Sequence, residues 1–509
     1  MPEPARAAPR ASYEAPMWLD LKSRHKQDKD LPQRSFDNQC YNAILDGTLY
    51  DVLEHSFHTE RTDANEYIKL RDRRPSVRYA LCRAVVDDSV GLLFSEEHFP
   101  TPKCEANPEV AQQLATIIKE TRLNQIMIDA ATQGSVGSVA ILMRVLKGRI
   151  FFDVLRTTYL TPEWKPDEPD TLARVVEQYK TKGSALKALG YQISDDDLLS
   201  DFWFRRDWDT LAENWYLPWP VQGSDPDFVP KQDTQRTVTH SLGFVPMVWI
   251  KNLPGGNGID GECTFKLAID TNIEIDYILS QGGRALKYAS DPTLLIKEPA
   301  SGGGDTMVKG GGNAIVVDKD GDAKLLEMSG DSTNAIIEYV RLARQVALES
   351  IHGNKSDADK IAAAQSGRAM ELMNQALIWL ADKLRISYGE CGLLEILNMI
   401  VRVSNTHPLK TKKGKPIGKI PADAEIALKW PPWYAPTWAD KTNEANTLTA
   451  LTGGGILSKA TATESIADEY DIEDTAAETK KIEAEAKAAQ DAQITLAKAT
   501  KPVPDNTGD

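Results

Sequence analysis

The sequence predicts an α+β fold, mainly helical, and three observations carry that prediction. Residues 30–150 and 366–403 place apolar side chains three and four positions apart, the period of a helix with one buried face. Residues 150–250 change to short aromatic and β-branched runs separated by turn residues, the pattern of antiparallel hairpins. Two long helical patterns, 262–290 and 332–352, enclose a glycine-rich segment, 291–331, that reads as two or three short strands.

Composition sets the frame for the elements. The chain has 509 residues, 41% hydrophobic and 26% charged, which suits a soluble protein of roughly two to four domains. It carries 74 acidic against 59 basic residues, a formal charge of −15. A protein that grips nucleic acid by neutralising phosphates has a basic face, so any relation to nucleic acid is local, or depends on not gripping it. The cysteines (Cys40, Cys82, Cys104, Cys263, Cys391) are odd in number and never spaced C-x-x-C, which argues for reduced thiols and against zinc. His55 and His58 read as surface or cap histidines, and no metal or cofactor is expected. No run of about 18 apolar residues exists, so no membrane span is expected. The stretch MPEPARAAPRASYEAP lacks an apolar core, and residues 1–29 are expected to form a flexible arm rather than a signal peptide.

In chain order, SFDNQCYNAILDGTLYDVLEHSF and RRPSVRYALCRAVVDDSVGLLFSE read as helical, and Asn107-Pro108 opens a helix reaching Ser135. RIFFDVLR, LARVVEQYK, DFWFRRDW, ENWYLPW and RTVTHSL read as hairpin strands, with Trp203, Trp208, Trp215 and Trp219 packing a small β layer. Gly282-Gly283 is expected to weaken or kink the far end of the first long helix. Asp331 or Ser332 should cap the second. The helical pattern from Ser366-Gly367 to Val403 is long enough to need a bend, placed at Ser387–Gly392. A basic loop (LKTKKGKPIGK), one strand (EIALKW) and a helical end follow. Residues 461–509 hold twelve acidic and five basic residues, and the last fifteen or so are expected to be disordered.

One motif invites an enzymatic reading. KNLPGGNGIDGE contains G-x-G-x-x-G at Gly256, Gly258 and Gly261, after the apolar run VPMVWI and before a long helix. A dinucleotide fold also needs an acid at the end of a second strand and repeated βα units. Here the acids at that distance, Asp276 and its neighbours, fall inside the helix, and no G-K-[ST] marks a Walker loop. The glycines therefore read as a flexible lead-in to the helix, and no catalytic residues are expected.

The order of parts resembles a tailed-bacteriophage portal protein of the siphophage-like group. The residues that carry the likeness are GFVPMVWIKN (Gly243–Asn252), the two long helices around a β insert, SGRAM (Ser366–Met370) and GGGILSKATATE (Gly453–Glu464). The resemblance implies a wing (30–261, with the bent helix and return strand at 366–436) and stem helices at 262–290 and 332–352. It also implies a clip at 291–331, a tunnel loop at 353–365, and a helical crown at 437–490 before an acidic tail at 491–509. It further implies a homo-oligomeric ring, usually of about twelve subunits, around a central channel at one capsid vertex. Double-stranded DNA would be packaged and ejected through it, with a terminase motor, the major capsid protein and head-completion or tail adaptor proteins as partners, and no enzymatic activity. The tunnel loop would hold Lys355, Asp357, Asp359 and Lys360 against DNA.

A sliding channel should not bind phosphate strongly, and the first long helix fits that demand. Asp270 and Glu274 stand four apart, with Gln281 on the same stripe two turns on, and we expect this stripe to line the channel. Apolar residues on several faces, such as Ile273, Ile275, Ile278 and Leu279, are expected to mark subunit contacts. The alternatives are another virion structural protein, such as a scaffold or tail component, and a nucleotide-binding enzyme using Gly256–Gly261.

Overall fold

The computed structural model describes residues 17–221, 228–290, 293–299, 317–326, 331–353, 367–434, 436–467, 470, 472 and 474–499. The chain divides into two compact units, Met1–Lys355 with Asn374–Trp433, and Ser356–Met373 with Tyr434–Asp509. The described residues combine helices with small open sheets, most of them antiparallel, which is consistent with the α+β expectation.

The first unit begins with α1 (Met17–Arg24), α2 (Gln33–Leu45), a two-residue parallel pair β1 (His55–Ser56) and β2 (Arg73–Arg74), and α3 (Leu81–Phe94). The expected helix from Arg73 starts eight residues late: Ala80 takes a left-handed φ of 53°, and the Val77 and Tyr79 N–H groups donate to the Ser280 and Asp276 side chains. His55 lies on β1 rather than on a helix. After β3 (Thr101–Lys103), Asn107 caps α4 (Pro108–Thr121) by accepting the Glu109 N–H at 3.0 Å. The single helix expected from Asn107 is in fact two, because Arg122 adopts a left-handed φ of 52° before α5 (Leu123–Gly134). No glycine or proline announces that break.

The β region is antiparallel throughout. β4 (Ser138–Leu146) and β5 (Arg149–Arg156) form a hairpin whose turn, Lys147-Gly148, has φ of 52° and 78°, the mirror-image turn that matches strand twist. β6 (Leu160–Trp164), β7 (Leu172–Lys182), β8 (Asp201–Trp208) and β9 (Ala212–Trp215) continue, with the short helix α6 (Gly183–Ala188) between β7 and β8. β10 (Trp219–Pro220) pairs with β8, and β11 (Val238–Thr239) adds to β9. β12 (Met247–Lys251) returns to flank β4, giving a three-stranded sheet in the order β12-β4-β5. Ala140, Leu142 and Met247 from this sheet pack on Leu172, Val175 and Trp208 from the other. Trp208 is enclosed and Trp203 stacks on Trp219 at 6.3 Å, so these tryptophans pack the layer.

α7 (Ile269–Ser290) is followed by β13 (Thr293–Pro299), β14 (Val317–Leu326) and α8 (Asp331–Ser350), and the two strands pair antiparallel. α7 starts later than the pattern proposes, because Gly261–Phe265 are committed to a loop. Gly282-Gly283 does not break it. A side chain at Gly282 would meet Ile336 Cγ2 at 3.2 Å, so this glycine lets α8 approach α7 closely. Residues 291–292, 300–316 and 327–330 of the expected clip lie outside the described residues.

The next helical run is interrupted at Asn374 and resumes as α9 (Gln375–Leu384). Where a bend is expected the structure has a π-helical stretch, Arg385–Leu394, before α10 (Glu395–Thr406). Gly389 presses on Trp430 there, and a side chain at Gly392 would reach Ile250 Cδ1 at 2.7 Å. β15 (Leu409–Lys410) and β16 (Pro416–Ile417) make a hairpin, and β17 (Ala427–Lys429) pairs with β3.

The second unit is helical where described. Thr437 and Asp440 form a reciprocal capping box on Trp438–Gly453, Ser458 caps Lys459–Ile466, and a last helix spans Thr475–Ala499. The disordered tail expected from 491 is corrected in part: helix continues to Ala499, carried by a run rich in Ala, Glu and Lys.

The two helical glycines should respond oppositely to substitution. Gly283 has open space around its Cα, so Gly283→Ala should stabilise the protein by about 0.5–1 kcal/mol. Gly282→Leu should destabilise it by about 1–3 kcal/mol through overpacking against Ile336. Urea unfolding of both variants checks the pair.

Candidate functional site

The long helix α7 divides its surface sharply. Leu267, Asp270, Glu274 and Gln281 are exposed and recur at helical spacing, so all three predicted stripe residues share one open face. Asp270 has a structural partner as well: its Oδ1 accepts the Trp18 N–H at 3.1 Å, near the start of α1. The carboxylate there satisfies a helix N-terminal amide, which offsets the repulsion from Glu274.

The opposite face corrects the expectation about subunit contacts. Ile273 and Ile275 are fully buried within this same chain, so they are core residues and leave no surface for a neighbour. Ile278 and Leu279 are half-buried. On α8 the situation is reversed. Tyr339, Leu342 and Val346, spaced three and four apart, are 47%, 58% and 53% exposed.

Sequence reasoning missed the polar groups that root α7. Asn272, Asp276 and Ser280 follow one another at intervals of four on the buried face. Their side chains accept the backbone N–H groups of Cys82 (3.3 Å), Tyr79 (2.6 Å) and Val77 (3.0 Å) in turn. The Tyr50 hydroxyl donates to Asp276 at 2.7 Å, and Asn272 Nδ2 donates to the same oxygen at 3.2 Å. Tyr277 OH donates to the Arg73 carbonyl at 2.7 Å. Burial pushes the Asp276 carboxyl above its ordinary range, against the pull of the Tyr50 and Tyr79 donors, Arg78 and Asn272. Burial and then Asp276 itself push the Tyr50 phenol well up. The signal was present in the sequence as three small polar residues four apart, in a helix whose other inward positions are apolar.

The glycine cluster already encloses a carboxylate of its own. Asp260, inside G-x-G-x-x-G, is buried and takes a bidentate ion pair from Arg34 at 2.5 and 2.7 Å, plus the Ser138 hydroxyl. The Gly261 and Asn252 N–H groups both donate to the Gly137 carbonyl, at 2.8 and 2.9 Å, and Glu262 N–H donates to Leu253 O at 2.7 Å. A side chain at Gly261 would meet Leu253 O at 2.6 Å, and Gly256 is pressed on Asp260 O. The loop already holds its own carboxylate and has spent these donors. The expectation of a flexible lead-in is corrected at two of the three glycines: Gly256 and Gly261 serve close packing, while Gly258 supplies a left-handed φ of 87° in open space. Tyr388 OH and Ser387 Oγ, from the π-helical stretch, donate to Asn252 Oδ1 (3.0 Å) and Asn252 O (2.5 Å).

Lys355, Asp357, Asp359 and Lys360 lie outside the described residues. Among the described residues no group of three metal-ligating side chains occurs, and no helix is long and apolar enough to cross a membrane.

No family model matches the chain, and no curated protein matches it. Among solved structures, a chain from the virion of a native gene transfer agent particle is 12% identical, with 75% of this chain and 87% of that chain covered and a TM-score of 0.36. A chain from the neck of an empty gene transfer agent particle computed with C6 symmetry is 10% identical, with the same coverage and score.

Asp276→Ala should cost about 2–4 kcal/mol, because it strands the Tyr79 N–H, the Tyr50 hydroxyl and Asn272 in a buried site. Asp276→Asn carries a sharper expectation. A carboxyl with a raised folded-state pKa binds its proton more tightly when folded, so its favourable contribution is complete below the unfolded value and fades as pH rises through the raised one. The stability difference between Asp276→Asn and the parent should therefore move in the variant's favour from about pH 4 to about pH 7. Urea titrations at both pH values measure it, and a pH-independent difference counts against the assignment.

Proposed function

We propose that this chain is the subunit of a portal-type ring at one vertex of a virion, through which double-stranded DNA is packaged and later released. The observation that carries the reading is the pair α7 and α8. The two helices pack on each other, are joined through a β hairpin, and leave two unlike faces uncovered. On α7 the open stripe is Asp270, Glu274 and Gln281; on α8 it is Tyr339, Leu342 and Val346. An apolar stripe favours contact with the next copy, and a head-to-tail contact that closes gives a ring.

An acidic stripe facing the bore would let the duplex slide. One lysine per subunit in a ring of about twelve would supply about a dozen phosphate contacts, more than the six to ten that already make binding tight and salt-sensitive. In this reading the protein performs no chemistry. A terminase motor would supply the work, the major capsid protein would surround the ring, and head-completion or tail adaptor proteins would attach to its ends. Lys355, Asp357, Asp359 and Lys360 would touch the passing DNA transiently.

Negative-stain images of the purified full-length protein should show end-on rings with a central hole. Leu342→Asp with Val346→Asp should reduce the assembly to monomers in light scattering, with little change in circular dichroism. Compact particles without a hole, or rings that tolerate both aspartates, would remove the reading. In rings that assemble, Glu274→Lys should lower the amount of DNA packaged with the motor present, and unchanged packaging would move the channel to another face.

A further inference from the structure

The chain is acidic on average, yet one surface region is strongly basic and belongs to neither α7 nor α8. The hairpin β15–β16 carries Lys410, Lys412, Lys413, Lys415 and Lys419 within ten residues, and all five are exposed. A second basic turn lies against it. Lys410 N–H donates to the Gly148 carbonyl at 2.9 Å, and a side chain at Gly148 would meet Pro408 O at 2.8 Å. That contact brings Lys147 and Arg149, which flank Gly148, beside the lysine hairpin. The hairpin is held by its backbone: Lys412 N–H donates to Glu120 Oε2 at 2.8 Å, and Thr411 N–H to Lys415 O at 2.8 Å. The lysine side chains are not used in that scaffold. Among the described residues none of the five makes an ion pair, so their charges are uncompensated except for Glu120 nearby.

We infer that this pair of turns is a binding site for the phosphate backbone of nucleic acid, without sequence readout. Three features select that ligand. The charge is supplied almost entirely by lysine, a flexible point charge suited to phosphates, and the tip Thr411–Gly414 carries no asparagine, glutamine or arginine to read base edges. A two-stranded ribbon is narrow enough to lie along a duplex groove between its phosphates. The tip also lacks the exposed apolar or aromatic anchor around which a protein interface is built. In a protein of net charge −15, such a patch gives local attachment where the rest of the surface repels the polyanion. The inference uses residues outside the helix pair that carries the ring proposal.

The test is fluorescence anisotropy of a short labelled DNA duplex with the full-length protein across about 50–200 mM salt. Lys412→Gln, Lys413→Gln and Lys415→Gln together should weaken binding at least about tenfold and make the slope of log K against log salt shallower by about 3. The triple arginine variant at the same positions should bind like the parent. Lys26→Gln, Lys29→Gln and Lys69→Gln, a charge-matched control at exposed positions, should change neither quantity. Equal binding by the parent and the hairpin glutamine variant overturns the site. Binding of polyglutamate but not of the duplex overturns the ligand class and points to an acidic protein. Since anisotropy reports binding whether or not rings form, a protein that binds through the hairpin but images as a monomer sinks the ring proposal alone.

Discussion

The fold depends on how the root of α7 is fixed. A long helix that carries a hairpin beyond its far end acts as a lever, and its base must resist the torque. Hydrophobic burial of Ile273 and Ile275 supplies adhesion but no register, since apolar contacts are non-directional. Register comes from Asn272, Asp276 and Ser280, each accepting one backbone N–H from the stretch Val77–Cys82. That stretch belongs to no sheet, so its amides need acceptors from elsewhere, and a helix with polar side chains every fourth residue provides them in sequence. Sliding the helix by one turn would strand several buried polar groups together.

The second attachment is the loop from Asn252 to Thr264. Asn252 is buried, donates through Nδ2 to Glu262 O at 2.7 Å and Thr264 Oγ1 at 2.9 Å, and accepts from Tyr388. Asp260 is held by Arg34 from α2. The loop thereby ties β12, the π-helical stretch and α2 to the start of α7. The π-helical stretch makes sense in this setting. Its widened turn sets Ser387 and Tyr388 toward Asn252 while Gly389 and Gly392 admit Trp430 and Ile250. A regular helix would present different positions to those neighbours.

What the sequence discloses and what it conceals follow from the range of the forces involved. The Asn107-Pro108 cap, the alternating hairpin strands and the helical periods of α7 and α8 are local signals, and they are legible. The irregularity near Ser387–Gly392 is also legible, because two glycines and a serine in a long pattern mark a weak point. Left-handed φ at Ala80 and Arg122 was not, since neither residue prefers that conformation and tertiary packing imposes it. The glycines mislead most. Gly256, Gly261 and Gly282 suggest looseness to a reader of sequence, yet backbone atoms leave no room for a side chain at the first two, and Ile336 packs tightly on the third. Ile273 and Ile275 mislead in the opposite sense: apolar residues on several helix faces look like an interface, yet both are fully buried within the chain.

Charge is distributed with the same economy. The acidic excess is not uniform, and its two departures lie on different elements. The open face of α7 carries Asp270 and Glu274 without a basic residue between them, whereas the β15–β16 hairpin gathers five lysines. Had the lysines stood on α7, a polyanion moving along that helix would meet a series of electrostatic wells. Had the carboxylates stood on the hairpin, nothing on the body would oppose the repulsion from a chain of charge −15. Attachment and free passage are incompatible demands on one surface, because counterion release rewards every added phosphate contact regardless of its consequence for motion. A single protein can meet both demands when the two surfaces are separate elements, and here the hairpin is fixed by Glu120 and Gly148, independently of the α7 root.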